Sequence, residues 1–128
     1  MNKTPRELGI EAENAAAAYL ERRGVSIITR NYRRRWGEVD IIAMDSDVLV
    51  FIEVKAGRNQ VVSPPALRVG YRKQRRLISA AKQFLQENAL NPEAVRFDVL
   101  ELVLVNRTEW RIEHIQDAFR LEDEDFDG

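Results

Sequence analysis

Two short apolar runs, residues 39–44 and 48–54, constrain the fold of this chain more than any other feature. Each alternates in the manner of a strand, and only Asp45, Ser46 and Asp47 separate them. Runs of this length joined by a short polar turn predict an antiparallel hairpin. A two-residue turn at Ser46 and Asp47 pairs Asp45 with Val48, and a four-residue loop that pairs Met44 with Leu49 gives the same register.

This register places acidic side chains against each other across the hairpin. Asp40 lies opposite Glu53, and Glu38 lies opposite Lys55. Strict alternation puts Glu38 and Asp40 on one face of the strand with Ile42, and puts Val39, Ile41 and Ala43 on the other. Opposed Cβ atoms are about 5 Å apart, and two carboxylates there repel by about 3 kcal/mol at an effective dielectric constant near 20. A divalent cation would reverse that repulsion, and oxygen ligands suit Mg²⁺ or Mn²⁺. A merely solvated face is the alternative.

The remaining elements are read from capping residues, periodicity and breakers. A helix is predicted from the Thr4 cap to near Gly24, and a second helix from about Gly70 to Asn88. Strands are predicted at residues 25–32, 39–44, 48–54, 97–105 and 110–115, and Ser63-Pro64-Pro65 breaks the chain before the second helix. The order α-β-β-β-α-β-β predicts an α/β domain, residues 1–120, with a central mixed β-sheet flanked by helices. Residues 121–128 carry five acidic side chains and are expected to form a disordered tail.

Helical periodicity predicts that each helix directs polar side chains toward the sheet. In the first helix, Glu13 lies in the middle of the apolar face formed by Ala16, Ala17 and Leu20. It is either a buried ion pair with an arginine or a carboxylate directed into a site. The second helix turns Leu77, Phe84 and their apolar neighbours inward, and places Lys73 and Gln74 so that they also face the sheet.

Composition removes several classes of site. The chain has no cysteine and one histidine, which excludes disulfides, thiolate metal sites and multi-histidine zinc sites. His114 has no histidine, cysteine or acidic constellation in the sequence, so a structural role is expected. No apolar run approaches the length of a membrane span and no export signal is visible, so a cytoplasmic location without a membrane partner is expected.

The distribution of charge indicates a polyanionic partner. Residues 22–82 contain 14 basic and 5 acidic side chains, although the net charge of the whole chain is −1. A solvated charged face is the alternative to a nucleic-acid contact. The candidate nucleic-acid-binding residues are an aromatic and arginine cluster, the outward face of the second helix and one residue after the third strand: Arg33, Arg34, Arg35, Trp36, Arg72, Arg75, Arg76 and Arg58.

An ordered set of motifs resembles a known family. Gly37-Glu38-Val39-Asp40, followed after twelve residues by Glu53-Val54-Lys55, resembles the D…ExK core of the restriction-endonuclease-like nucleases. The wider pattern, over residues 8–119, resembles the YraN family of bacterial proteins, which is similar in fold to archaeal Holliday-junction resolvases. Gly57 stands where a basic residue commonly follows the ExK lysine, and Arg58 comes one position later.

The resemblance implies a restriction-endonuclease-like fold and a set of roles. Asp40 and Glu53 would bind Mg²⁺ or Mn²⁺ together with the Val54 carbonyl, Glu13 would complete the site, and Lys55 would position or activate the attacking water. The implied function is metal-dependent hydrolysis of DNA phosphodiester bonds, with branched, repair or recombination intermediates as candidate substrates. The alternatives are a DNA-binding module of the same fold without turnover, and an adaptor recognised through its acidic tail. No small-molecule cofactor is expected, and a homodimer is left open.

Overall fold

A computed structural model describes residues 3–58 and 69–120 of the chain. Its elements follow the predicted order, α-β-β-β-α-β-β, and confirm the α/β class with a mixed sheet flanked by helices. The break at residues 63–65 and the acidic tail lie outside the described residues, so the domain boundary at residue 120 stays a prediction. The elements are α1 (Pro5–Arg22), β1 (Ser26–Arg34), β2 (Gly37–Asp45), β3 (Val48–Arg58), α2 (Tyr71–Asn88), β4 (Ala94–Leu104) and β5 (Trp110–Phe119).

Most strands run further than the sequence pattern predicts. β3 continues to Arg58 and β5 to Phe119, although polar residues interrupt the apolar pattern of both. Phe119 explains the length of β5, because its ring stacks on Phe97 of β4 with the centroids 4.8 Å apart. Tertiary packing therefore extends strands whose local sequence is ambiguous.

The sheet has the order β1-β2-β3-β4-β5. Neighbouring strands are antiparallel except for β3 and β4, which are parallel and flank α2 in the sequence. A parallel pair needs a crossover connection, and α2 supplies it. None of the helices in the described segments is both long and apolar enough to cross a membrane.

Each helix covers one face of the sheet. Ala12, Ala16 and Leu20 of α1 pack with inward side chains such as Ile41 and Ile52. The core on the α2 face is larger and includes aromatic rings; it contains Tyr32, Val39, Ile42, Phe51, Leu77, Phe84 and Phe97. The predicted inward stripe of α2 is confirmed, since Leu77, Ile78, Ala81 and Phe84 are all buried.

The hairpin has the predicted register. Asp45 pairs with Val48 and Met44 with Leu49, around a two-residue turn in which Ser46 has φ 55°. The first helix also begins as predicted: the Thr4 hydroxyl accepts the Glu7 N–H at 3.1 Å, and the Glu7 side chain returns a bond to Thr4. Such a capping box satisfies amide groups that the helix itself leaves unpaired.

Strict alternation in β2 is wrong at Val39 and Asp40. It predicts that Val39 shares a face with Ile41 and that Asp40 shares one with Ile42, but Val39 packs on the α2 face together with Ile42, and Asp40 lies on the side of α1. The change of side falls opposite Asn31 of β1, which lies between the pairs Arg30–Ile41 and Tyr32–Val39. Asn31 has φ 53°, a left-handed conformation that asparagine tolerates better than most residues. The pleat of β2 therefore reverses between its apolar residues 41–43, which lie in the core, and its acidic residues Glu38 and Asp40.

Gly37 marks the closest approach of β2 to α2. A Cβ atom at this position would lie 2.6 Å from the Ala80 amide nitrogen and 2.9 Å from Ala80 Cα. Both are backbone atoms, so the helix would have to move. Gly9, within α1, has no atom within 4 Å of such a Cβ.

We therefore expect opposite effects from two glycine substitutions. Gly37→Ala should lower the free energy of unfolding by about 1–3 kcal/mol, because it forces β2 away from α2. The matched control Gly9→Ala should raise it by about 0.5–1 kcal/mol, because alanine is the better helix former. Urea denaturation of both variants measures the difference, and equal effects would contradict the close packing at Gly37.

Candidate active site

The ladder between β2 and β3 ends where the acidic residues begin. Its last pair is Ile41 with Ile52. One step further, the Val54 N–H donates to Oδ2 of Asp40 at 2.7 Å. A side-chain carboxylate thus replaces a backbone carbonyl as the partner of a β3 amide. The opening of the ladder fixes the Asp40 side chain between the two strands.

Glu53 lies against Asp40 and is almost fully buried. Only 5% of its surface is exposed, and its carboxyl group is hydrogen-bonded to Asp40. Burial, reinforced by the hydrogen bond and the negative charge of Asp40, raises the pKa of Glu53 from 4.5 to about 8. The two carboxylates that the predicted register opposes are brought together, and Glu53 holds its proton more tightly than an ordinary carboxyl group.

Lys73 of α2 supplies positive charge to this pair. Its Nζ atom lies 3.1 Å from Oε2 of Glu53 and 2.6 Å from Oε1 of Glu38. Burial by itself lowers the pKa of Lys73, but the bonds to Glu38 and Glu53 outweigh it and hold that pKa above its usual value. Arg76 binds the other oxygen of Glu38 at 2.9 Å. The hydrogen bond from Lys73 and the positive charges of Lys73, Arg76 and Arg33 keep the pKa of Glu38 below its usual value, although partial burial by itself raises it.

Glu13 of α1 has both features that the sequence left as alternatives, an ion pair with an arginine and a position beside a possible site. Its Oε1 atom accepts bonds from Arg30 Nε at 3.0 Å and from Asn31 Nδ2 at 2.9 Å, so it does form an ion pair with an arginine. The same residue lines a cleft together with Asp40. Glu13 is therefore anchored to β1 and borders the site.

The cleft lies on the α1 side and has a volume of about 520 Å³. The first half of α1 forms one wall, from Pro5 to Glu13. The opposite wall comes from the three strands of the hairpin region: Asn31, Arg33, Asp40, Val54 and Ala56. Asp40 thus connects open space on one side to the buried Glu53 and Lys73 on the other.

The donor set fits a hard divalent cation of the kind the fold implies. The Asp40 and Glu53 carboxyl groups lie against each other, and both burial and the charge of Asp40 disfavour the charged form of Glu53. Mg²⁺ is commonly held by one or two carboxylates and keeps several of its waters. Within residues 3–58 and 69–120, no three histidine, cysteine, aspartate or glutamate side chains are grouped closely enough to hold an ion. Asp40 and Glu53 would be side-chain ligands of such an ion, and the role of Glu13 as a further ligand stays a prediction.

One sequence expectation near the site is wrong, and another stays a prediction. Glu38 is not paired with Lys55, because the β2–β3 ladder ends at Ile41 and Ile52. The Gln74 Nε2 atom donates to the Val69 carbonyl at 2.8 Å, and its expected place beside the carboxylates stays a prediction. Lys55 itself is half-buried, two residues beyond Glu53 along β3.

Comparison with known proteins identifies the family. Residues 12–102 match the model of "Uncharacterised protein family UPF0102". A UPF0102 protein of Rhodococcus opacus, strain B4, is 44% identical over 112 residues, covering 88% of this chain and 95% of the relative. A UPF0102 protein of Geobacter sulfurreducens is 45% identical over 114 residues, covering 89% of each. The chain belongs to the UPF0102 family. This confirms the resemblance to the YraN family.

The candidate nucleic-acid-binding arginines of this UPF0102 chain fall into different environments. Arg34 forms two bonds with Glu87, at 2.7 and 3.0 Å, and lies over the Tyr32 ring. Arg33 borders the cleft, while Arg72 and Arg75 lie on the exposed side of α2. Arg35 and Trp36 form the exposed turn between β1 and β2. The side chain of Arg58 lies outside the described part.

A second buried acidic residue was missed from the sequence. Asp98 of β4 is 1% exposed and accepts bonds from Arg96, His114 and the Asp117 N–H. Arg96 also reaches Asp45 at 3.0 Å, which ties β4 to the hairpin turn. The structural role expected for His114 fits this network, but its expected lack of an acidic partner is wrong. The available signal was the Arg96-Phe97-Asp98 alternation, which places two charges on one face of an apolar strand.

The raised pKa of Glu53 has a testable consequence for stability without divalent ions. The folded protein binds this proton more tightly than the unfolded chain, so the contribution is fully present below about pH 4.5 and is lost as pH rises through about 8. We expect the free energy of unfolding, measured in urea, to decrease over that interval. In Glu53→Gln this component of the slope should be missing.

Neighbouring substitutions should move the Glu53 titration in opposite directions. Asp40→Asn removes the neighbouring charge and should lower the pKa of Glu53, whereas Lys73→Met removes a cation and should raise it. Carboxyl carbon chemical shifts in NMR titrations measure both. A Glu53 midpoint near 4.5 in the unmodified protein would contradict the raised pKa of this buried carboxyl group.

Proposed function

We propose that this protein is a metal-dependent nuclease that hydrolyses phosphodiester bonds in DNA, with branched, repair or recombination intermediates as its substrates. The observation that carries the proposal is the buried Glu53 carboxyl held against Asp40 at the edge of an arginine-bordered cleft. A sheet built for stability alone gains nothing from opposed carboxylates, whereas a site for a divalent cation requires them.

Each residue of the site has a distinct task in this proposal. Asp40 and Glu53 hold the cation, and the contact of Asp40 with the Val54 N–H fixes the carboxylate before the cation arrives. When bound, Mg²⁺ or Mn²⁺ polarises the phosphodiester and lowers the pKa of a water molecule. Lys55, on the same strand, orients that water by donating hydrogen bonds. The Val54 carbonyl is a candidate backbone ligand.

The residues around the pair bind and orient the DNA strand. Arg33, which lines the cleft, would contact a phosphate, and Lys73, 3.1 Å from Glu53, would stabilise negative charge beside it. Arg72, Arg75 and Arg76 extend the positive surface along α2. Arg34 contributes less, because both ends of its guanidinium fork are already bound to Glu87.

A DNA-binding module without turnover is the second candidate. The observation that favours it is the Lys73 ammonium group, which lies 3.1 Å from Glu53 and supplies part of the positive charge that a metal ion would bring. In that case Lys73 would be a permanent counter-ion of the carboxylate pair. The two candidates differ in whether a divalent ion binds and whether DNA is cut.

Substitution of Lys55 separates these candidates. In the nuclease, Lys55→Met should retain Mn²⁺ and DNA binding while cleavage slows by about 100-fold or more, because the group that orients the water is removed. Asp40→Ala should abolish both Mn²⁺ binding, measured by calorimetry, and cleavage of labelled linear, flapped and four-way DNA. Unchanged Mn²⁺ affinity in Asp40→Ala, or parental cleavage by Lys55→Met, would refute these assignments.

The salt dependence of binding tests the DNA surface. The logarithm of the association constant should fall linearly with the logarithm of salt concentration. Arg33→Ala with Arg72→Ala should reduce the slope by about 1 for each phosphate that is no longer neutralised. Arg22→Ala is the matched control, since Arg22 lies in the last turn of α1, away from the cleft. Fluorescence anisotropy measures both. An absence of binding at low salt, or an equal change in the control, would refute the proposed surface.

A further inference from the structure

The turn between β1 and β2 presents an exposed indole. Arg34 pairs with Gly37, so Arg35 and Trp36 form a two-residue turn. Trp36 is 74% exposed and has φ 67°. A bulky aromatic residue in the left-handed region is uncommon and costs conformational free energy. Neither burial nor backbone preference therefore explains a tryptophan at this place.

The turn is held rigidly from below. Gln83 of α2 donates to the Arg35 carbonyl at 2.8 Å. On the other side of Trp36, the Gly37 backbone rests against Ala80 so closely that a Cβ atom would not fit. The paired Arg34 is fixed by Glu87. These contacts hold the backbone of the turn, so the indole projects from a fixed base with the Arg35 guanidinium 5.3 Å from its ring centre.

The turn is continuous with the carboxylate site. β2 leads from Trp36 through Glu38 to Asp40, four residues or about 13 Å at the usual rise of a strand. Glu38, between the two, is bound by Arg76 and Lys73. Arg33 pairs with Glu38 across the β1–β2 ladder and borders the cleft. A strand of nucleic acid at the site would therefore meet an aromatic ring and a guanidinium group within a few nucleotides.

We propose that Trp36 stacks on an unpaired base, so that this surface selects DNA at a boundary between single strand and duplex. The proposal rests on the proposed function for the nature of the polymer. Bases within a duplex have both faces covered by their neighbours, and an indole can stack on them only after they are unstacked. An unpaired base offers its face at no such cost, and stacking is tolerant of base identity.

The size and charge of the surface favour this occupant over a protein. One tryptophan side chain covers about 150–250 Å², whereas a stable protein interface buries about 800 Å² on each partner. The surroundings are arginine-rich rather than apolar, since Arg35 lies in the turn, Arg33 lies near it at the end of β1, and Arg76 of α2 binds Glu38. A base with its adjoining phosphates matches both the aromatic ring and the charges.

The test uses fluorescence in EDTA, so that no cleavage is needed. The chain has two tryptophans, and Trp110→Phe leaves Trp36 as the only one. Single-stranded and flapped DNA should quench its emission strongly. A duplex of the same length with both ends closed by loops of non-nucleotide linker should quench it by less than about a fifth as much, because it contains no unpaired base.

Substitution of the indole provides the matched measurement in the otherwise unchanged protein. Trp36→Ala should weaken binding of flapped DNA by about tenfold, within the range for loss of one base–aromatic stack, and should weaken binding of the closed duplex by no more than about twofold. Trp36→Phe should restore part of the preference. Anisotropy of labelled DNA measures these affinities without relying on Trp110→Phe.

Several results would overturn the proposal. Equal weakening for flapped and closed DNA would make Trp36 a general contact, and a dimer that dissociates in sedimentation of Trp36→Ala would place the indole between subunits. Absence of binding to every DNA would refute the proposed function as well. If Trp36 emission is quenched and flapped DNA is preferred over the closed duplex, but the unmodified protein cleaves no DNA, only the proposed nuclease activity would be refuted.

Discussion

The bond from the Val54 N–H to the Asp40 carboxylate is the contact on which the candidate site depends. A buried amide in a strand needs an acceptor, and here the acceptor comes from a side chain because the β2–β3 ladder has ended at Ile41 and Ile52. This places Asp40 at the cleft and against Glu53 at the same time. If the ladder continued, a backbone carbonyl would take the Val54 bond and the carboxylate would be released.

Side chains of both helices compensate for the opening of the β2–β3 ladder. On the α2 face, Lys73 lies beside Glu53 and offsets part of the repulsion between the carboxylates. On the α1 face, Glu13 accepts hydrogen bonds from Arg30 and Asn31. These bonds hold β1 at Asn31, the residue with the left-handed conformation where the pleat reverses. The polar half of the hairpin is thus supported by ion pairs, while its other half is supported by two apolar cores.

Local patterns predicted the elements and the hairpin register, because turn chemistry at Asp45-Ser46-Asp47 and a one-face apolar pattern leave few registers open. They also brought Asp40 and Glu53 together. Local patterns could not predict the reversal of the pleat at Asn31, since a left-handed residue within a strand breaks the alternation on which the prediction was based. His114 was misjudged for a different reason. Its partner Asp98 depends on how β4 and β5 pack, and that contact has no periodic signature.

Two buried acids within residues 3–58 and 69–120 show why one is a candidate for function and the other is not. Burial acts on both in the same direction, but Asp98 receives bonds from His114, Arg96 and the Asp117 amide, and these hold its pKa below the usual value. Glu53 has Lys73 on one side and another carboxylate on the other, and its pKa rises to about 8. Asp98 is satisfied by the fold and ties β4, β5 and the hairpin together. Glu53 has less positive charge around it and lies against Asp40, which lines the cleft. A bound cation would supply the missing positive charge.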